Sequence, residues 1–507
     1  MSASTKVERR QGRGRCLVAR RDISLGDLIM EVKPLSAVLE EVEARSHCAK
    51  CFGGISDRHG RAGSRCSGCQ RIWYCSRRCQ KADWTEHRPE CKAWRSQGSD
   101  RTPTRTLRLA GRILHAMNRA TESATDGEES FRVKEAVAEL VHHNAERTSE
   151  QKEEFKLMAA FVAQMCVAGC GERALTWPSA HGRGFPGLME AAYAVIGKIS
   201  CNVFSITEDV GANTLGCGLY LEVATANHSC SPNASQTFYG STLALRCTRP
   251  ILKDEEITIG ITELHRPSRA RREALRSSYF FDCRCERCDA QGAIEEDKKL
   301  QGRACPDKSC SGVCVQSDVI WTSETRAPHG VERGKGGIQE TVNFTCGTCG
   351  DSWPGEEAEQ KRAAAHDLLQ RGQADVRRGK ETEGRKCMEA ALQLAACLHR
   401  GNWMVSEIYA ELVSACLELE DFDAAATYAH LGISAHRACM SGLLPYYTPW
   451  AKHLAIAGKL LLCFQRQPAQ ARTLLEEALP VIEVTHGDRH PLFREVRDLL
   501  DQACVGG

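Results

Sequence analysis

Cysteine and histidine recur at metal-ligand spacing between residues 48 and 91. The pairs are Cys48-x2-Cys51, Cys66-x2-Cys69, Cys75-x3-Cys79 and His87-x3-Cys91. Zinc takes four sulfur or nitrogen ligands in a tetrahedron, and a CxxC turn sets two thiolates on one ion. Four pairs therefore serve two ions. So short a segment has little apolar core, so metal ligation supplies much of its folding free energy. The competing explanation, scattered buried cysteines with no shared ligand role, does not account for spacing this regular. A second cluster, Cys283-x-Cys285-x2-Cys288, needs a fourth ligand. A third sets Cys305-x4-Cys310 beside Cys346-x2-Cys349, with Cys314 as a competing ligand. It reads as a small zinc ribbon around a long insertion, against the alternative of free surface thiols.

A second kind of chemistry is written in Asn227-His228-Ser229-Cys230-Ser231-Pro232-Asn233, a polar turn after Leu219-Tyr220-Leu221. Taken alone, the run is a structural Asn/His hydrogen-bond corner. It lies between Asn202-Val203-Phe204-Ser205 and Asp254-Glu255-Glu256-Ile257-Thr258-Ile259, with Gly12-Arg13-Gly14-Arg15 far upstream. Residues 48–95 hold 11 Lys or Arg against 4 Asp or Glu. This leaves a modest basic face that could attract an acidic partner or nucleic acid, although a solvated surface is the simpler account. The same holds for Arg266-x2-Arg269-x-Arg271-Arg272, read as a solvated helix face.

The elements that position these residues follow from hydrophobic periodicity. Cys16–Ala19 and Leu28–Val32 read as strands around a Ser24–Asp27 turn. Residues 105–200 read as largely helical, with a polar break at 121–130, and 201–261 return to β pattern. RAPHGVERGKGG (326–337) reads as a mobile loop. Beyond about residue 360, helices are expected near 384–400, 403–419, 421–437, 449–464 and 468–485, stopped by Gly401 and Pro468. Asp421-Phe422-Asp423-Ala424-Ala425 has a loose echo at Gln467-Pro468-Ala469-Gln470-Ala471, which suggests a tetratricopeptide-like array over an irregular bundle.

The 507 residues predict two to four domains. A formal charge of +2 drives the chain onto neither nucleic acid nor membrane. No apolar run is expected to reach the roughly 18 residues of a membrane span. The N-terminus lacks an apolar signal core, so the 28 cysteines read as thiols and metal ligands of a cytoplasmic or nuclear protein.

The 48–91 segment, with Trp73-Tyr74-Cys75-Ser76 and Trp84-x2-His87, resembles the MYND finger, and the Asn227 run resembles the NHSCxPN signature of SET methyltransferases. Asn202–Ser205 is similar to that family's CNxF segment and Asp254–Ile259 to its GEELTI strand; Gly12–Arg15 resembles its opening Gly-rich turn. Together they resemble the SET-and-MYND family of protein-lysine methyltransferases over nearly the whole chain. The resemblance implies an α+β multidomain protein. Its parts would be an N-terminal piece of the SET domain (1–47), the MYND finger (48–91), a helical insert (92–200), a β-rich SET core (201–278), a Cys-rich post-SET and ribbon segment (279–350) and a helical domain (360–507).

It also implies interleaved zinc sites, Cys48, Cys51, Cys75 and Cys79 on one ion and Cys66, Cys69, His87 and Cys91 on the other. Cys230 would be the fourth ligand beside Cys283, Cys285 and Cys288. The cofactors would be S-adenosylmethionine and three zincs, with a fourth in the 305–349 ribbon. By resemblance, Gly12, Arg13, Gly14, Asn202, Asn227, His228 and Phe281 border the methyl donor, and Tyr279 lines the lysine channel. Partners would be lysine-bearing protein substrates and peptides of the finger, often proline-rich, with no membrane. One departure stands out. Where the family strand ends in a catalytic tyrosine, this chain has Ile261. Two functions follow: a protein-lysine methyltransferase of reduced activity, or a SET-like scaffold acting through its finger and helical array.

Overall fold

The computed structural model describes residues 4–55, 63–97, 102–119, 127–176, 182–208, 213–289, 292–317, 343–440 and 444–505. The Gly-rich piece 326–337 lies outside them. Of the expected polar break at 121–130, residues 127–130 instead begin a helix, Gly127–Ala138. The chain forms two compact units. The first comprises Met1–Asn227, Asn233–Ile259 and Arg276–Phe281; the second comprises His228–Pro232, Gly260–Leu275 and Asp282–Gly507.

The first unit opens on an antiparallel hairpin, Thr5–Arg10 with Gly14–Ala19, in which Arg10 faces Gly14. Gly12 and Gly14 turn the chain at φ +73° and +68°, a region where L side chains are strained. Cys16, Leu17, Val18 and Ala19 are buried, so this strand is core on both faces. Two further antiparallel sheets follow. Thr242–Cys247 lies between Ala234–Tyr239 and Leu28–Val32, and Thr214–Leu219 lies between Ser36–Leu39 and Val203–Thr207. The β pattern read in the sequence is therefore present, threaded through three separate stretches of chain.

Three helices of the same unit, Arg105–Arg119, Ser149–Cys170 and Gly184–Asn202, bury Leu109, Ile113, Leu114, Val162, Ala163 and Ile196 against one another. A Thr148–Gln151 capping box fixes where the middle one starts. Against expectation, Ser149–Leu175 is long and apolar enough to cross a membrane by length and composition alone. In this fold it packs on both neighbouring helices and on the finger helix Arg77–Gln97. That finger helix contains Pro89. A proline offers no N–H, so the Thr85 carbonyl one turn back loses its helical partner. The ring of His115, on the helix Arg105–Arg119, hydrogen-bonds the Thr85 backbone instead.

The second unit carries the later cysteines, a four-stranded antiparallel sheet and a helical array. The sheet runs Arg303–Ala304, Val313–Gln316, Asn343–Cys346, Ser352–Pro354 in spatial order. The expected helices appear as Glu381–Leu394, Trp403–Glu418, Phe422–Met440, Thr448–Cys463 and Pro468–His486. Glu356–Val376 and Pro491–Val505 extend the array at each end. Successive helices pack on one another, with Ala425 and Ala471 fully buried at the contacts.

Candidate functional site

The sixteen expected metal ligands fall into four sets, and within each set the ligand atoms lie within 4.8 Å of one another. In the finger, the paired strands Ser64–Arg65 and Trp73–Tyr74 and the helix Arg77–Gln97 bring distant pairs together. Cys48, Cys51, Cys75 and Cys79 form one set; Cys66, Cys69, His87 and Cys91 form the other. His87 and Cys91 share a helix face because they are four residues apart. Sulfur spacings are diagnostic. Cys51 to Cys75 is 3.7 Å, Cys75 to Cys79 is 3.6 Å and Cys66 to Cys91 is 3.8 Å. A tetrahedron with zinc–sulfur bonds of about 2.3 Å has edges of about 3.8 Å. A disulfide would need about 2.0 Å. The donor sets fit zinc.

Behind the second set stands a buried charge network that sequence reading missed. His87 Nδ1 lies 3.3 Å from Glu90 Oε2, which also accepts from Arg112 Nη2 at 2.7 Å. Arg112 is 2% exposed, and it reaches Asp83 at 3.3 Å and the Ala37 carbonyl at 3.2 Å. Asp83 in turn accepts the Tyr74 hydroxyl at 2.7 Å. Burial opposes ionisation of Glu90, but Arg112, His87 and Arg108 hold its carboxyl below the ordinary range. A carboxylate on the far nitrogen of a metal-bound imidazole fixes its tautomer and raises its basicity.

In the second unit, Cys230, Cys283, Cys285 and Cys288 converge, with Cys288 and Cys230 sulfurs 3.5 Å apart. Arg287 donates to the Cys230 carbonyl at 2.9 Å and steadies the turn. Cys305, Cys310, Cys346 and Cys349 form the fourth set. Cys314, the competing ligand, faces Cys346 across the sheet and is buried at 1% exposure outside the set. Cys310 takes the place because it lies in the connection before Val313–Gln316. The basic run is not a solvated face. Arg271 is buried beside Glu296 at 3.2 Å, and Arg272 pairs with Asp282.

The first unit holds most of the remaining site residues. The Asn227 carboxamide nitrogen lies 3.2 Å from the Arg13 carbonyl, 3.0 Å from that of Arg15 and 2.8 Å from Glu256 Oε1. Arg13 Nε pairs with the same Glu256 at 3.0 Å. Asn227 is therefore the latch of the Gly-rich turn. A Cβ at Gly12 or Gly14 would meet nothing within 4 Å, so open space lies over that turn. Asn202 likewise turns its amide nitrogen inward, to the carbonyls of Lys198 at 2.8 Å and Val141 at 2.9 Å. What these two asparagines have left for a ligand is the carboxamide oxygen and the backbone.

Tyr279 is half-buried, and burial followed by the nearby Cys201 charge raises its hydroxyl pKa. Phe281 leaves 36% of its surface exposed. In the second unit, His228 Nδ1 accepts the Ile261 N–H at 3.2 Å, and its Nε2 lies 3.2 Å from Cys230 Sγ. His228 thus braces the Cys230 turn and the backbone of Ile261.

Residues 48–91 match the MYND finger family. Similar proteins include the N-lysine methyltransferase SMYD2 of Gallus gallus, 26% identical over 97% of this chain and 95% of that protein. The human SMYD2 is 24% identical over 97% and 96%. The histone-lysine N-methyltransferase ASHR1 of Arabidopsis thaliana is 33% identical over 60% of this chain and 59% of its own.

Proposed function

Because the chain belongs to the SET-and-MYND family of protein-lysine methyltransferases, we propose that it methylates lysine side chains of protein substrates, at a rate held down by Ile261. S-adenosylmethionine, when bound, supplies a methyl group activated by its sulfonium. The observation that carries the reading is the Asn227 latch. It holds the Gly12–Gly14 turn with open space above it, where a bulky nucleoside can lie against backbone. Phe281 offers the exposed ring for an adenine face.

The substrate lysine has to lose a proton before it attacks, and its free pKa is about 10.4. Burial in an apolar channel and a neighbouring positive charge both favour the neutral amine. The chain's remaining task is alignment of amine, methyl and sulfur. Tyr279 supplies one hydroxyl for it. The second hydroxyl, expected at position 261, is replaced by an alkyl group, although the Ile261 backbone is still held by His228. Cofactor affinity is expected to survive this change and turnover to fall.

The finger contributes binding. Trp84 is 43% exposed beside His87 and offers a ring to a peptide, for which proline-rich sequences are the proposed class. The modest basic face of the finger adds attraction for an acidic partner or a nucleic acid. Twenty-eight cysteines outside disulfides, fifteen of them in the metal sets, suit the reducing cytoplasm or nucleus.

The test is purified zinc-loaded protein with labelled S-adenosylmethionine and a mixed protein extract, with cofactor affinity measured by calorimetry alongside. Labelled lysine is the expected result. The Ile261 side chain also favours a second reading, a scaffold that has lost turnover; binding without label in any protein supports it.

A further inference from the structure

Three separated pieces of the first unit meet at one guanidinium. Arg147 is 8% exposed. Its Nη2 hydrogen-bonds Ser200 Oγ and lies 3.8 Å from Cys201 Sγ and 3.4 Å from the His142 carbonyl. Its Nε reaches Asn144 Oδ1 at 3.4 Å. The flat face lies against two rings, 4.4 Å from the centroid of Phe155 and 5.1 Å from that of Phe280. Neighbouring His143 stacks on Phe280 as well, with centroids 5.2 Å apart and planes 21° from parallel. Cys201 Sγ closes the circle at 3.9 Å from the Ser278 carbonyl.

Phe280 is the residue between Tyr279 and Phe281, and its φ is +60°. An aromatic residue is strained in this region and persists there only if its surroundings hold it. The holders are Arg147 and His143. Asn144 anchors their segment, with Nδ2 on the Tyr193 carbonyl at 3.2 Å and its carboxamide filling the space that a Cβ at Gly197 would need. The other end of the guanidinium contacts is Ser200-Cys201, directly before Asn202.

We propose that Arg147 is a positioning residue for methyl transfer: by fixing Phe280 against the Ser200–Asn202 segment, it sets the directions of Tyr279 and Phe281. The proposal rests on the cofactor and channel roles argued for those two residues above. Arginine suits the task because a rigid fork of donors and a stacking face act at once, which lysine cannot reproduce.

The experiment uses the full zinc-loaded chain and S-adenosylhomocysteine as the probe. Affinity is read by calorimetry for wild type, Arg147→Ala, Arg147→Lys and Phe280→Leu, with amide hydrogen exchange over 278–283 and thermal stability beside it. Arg147→Ala and Phe280→Leu are expected to weaken binding about tenfold and to speed exchange at 278–281, with Arg147→Lys between them and wild type. Folded variants with unchanged affinity and unchanged local exchange overturn the proposal. So does a rise in exchange spread evenly over the first unit with Lys no better than Ala, because that marks a general packing role. If Arg147→Ala does not fold, Phe280→Leu and Ser200→Ala decide by the same two readings. If wild type itself does not bind the probe, the methyltransferase reading falls. Local exchange alone then decides whether Arg147 fixes Phe280.

Discussion

The Arg112 guanidinium, on the helix Arg105–Arg119, donates to the Glu90 carboxylate of the finger helix at 2.7 Å. Glu90 is the residue that receives the ring of His87, a ligand of the second zinc set. The helix Arg105–Arg119 therefore reaches the metal ligand His87 through two contacts.

Removing this support should loosen the second zinc and leave the first in place. Glu90→Gln or Arg112→Met is expected to lower affinity at the Cys66/Cys69/His87/Cys91 set by about 10–100-fold, the usual range for a lost outer partner of a metal-bound imidazole. Chelator competition with a chromophoric zinc indicator would resolve it as one ion leaving early. Release in step with wild type would show the contact to be unconnected with the metal.

Purified protein should carry four zinc ions by native mass spectrometry, one for each set. Cys310→Ser and Cys349→Ser should each reduce the count to three. Cys314→Ser should leave it at four, because that thiol is buried outside the ribbon set. A wild-type count of three would remove the ribbon site.

Ile261→Tyr should raise turnover while barely changing cofactor affinity. One preorganised polar group at a reacting centre is commonly worth about 10²–10³ in rate. Steady-state kinetics of both forms, read beside calorimetric cofactor titration, measures the two effects separately. Wild-type turnover equal to that of the tyrosine variant would contradict the assignment of position 261.

Lys198 gives a pH dependence. Its ammonium is buried, donates to the Val137 and Ala138 carbonyls at 2.7 Å each, and has its pKa pushed down to about 8 by burial and by Arg15. Below about pH 8 both folded and unfolded chains hold the proton, and the folded chain bears the full cost of the buried charge. Above it the folded chain releases the proton while the unfolded chain keeps it, up to the ordinary value of 10.5. Stability relative to Lys198→Met should therefore rise with pH across this window, by up to about 1.4 kcal/mol per unit for one proton. Denaturant unfolding at pH 7 to 10 tests it; a difference that stays flat or falls contradicts the placement of Lys198.

The metal ligands were legible because ligation constrains spacing: Cys48-x2-Cys51 and Cys346-x2-Cys349 can be read one pair at a time. The match of Cys230 with Cys283 spans more than fifty residues and became visible only through resemblance. The helical array was legible from its Ala contacts, whereas Glu356–Val376 and Pro491–Val505 carried no distinct echo. Buried arginines were the main blind spot. Arg108, Arg112, Arg147 and Arg271 look like solvent-facing residues in a sequence, since charge is ordinarily exposed. Each is interior because partners from distant segments or ring faces surround it. Asn202 and Asn227 stood out through the resemblance, but no periodicity could tell that their amide nitrogens bind other carbonyls of the chain.

Pro89 lies inside the finger helix, and the carbonyl it strands on Thr85 is taken up by His115, outside the finger. The matched family segment ends at residue 91. A fragment excised there would keep all eight zinc ligands but lose the partner of Thr85 and the cation on Glu90. The boundary of inheritance and the boundary of folding autonomy do not coincide. A finger transplanted into another protein would need the helix Arg105–Arg119 to travel with it.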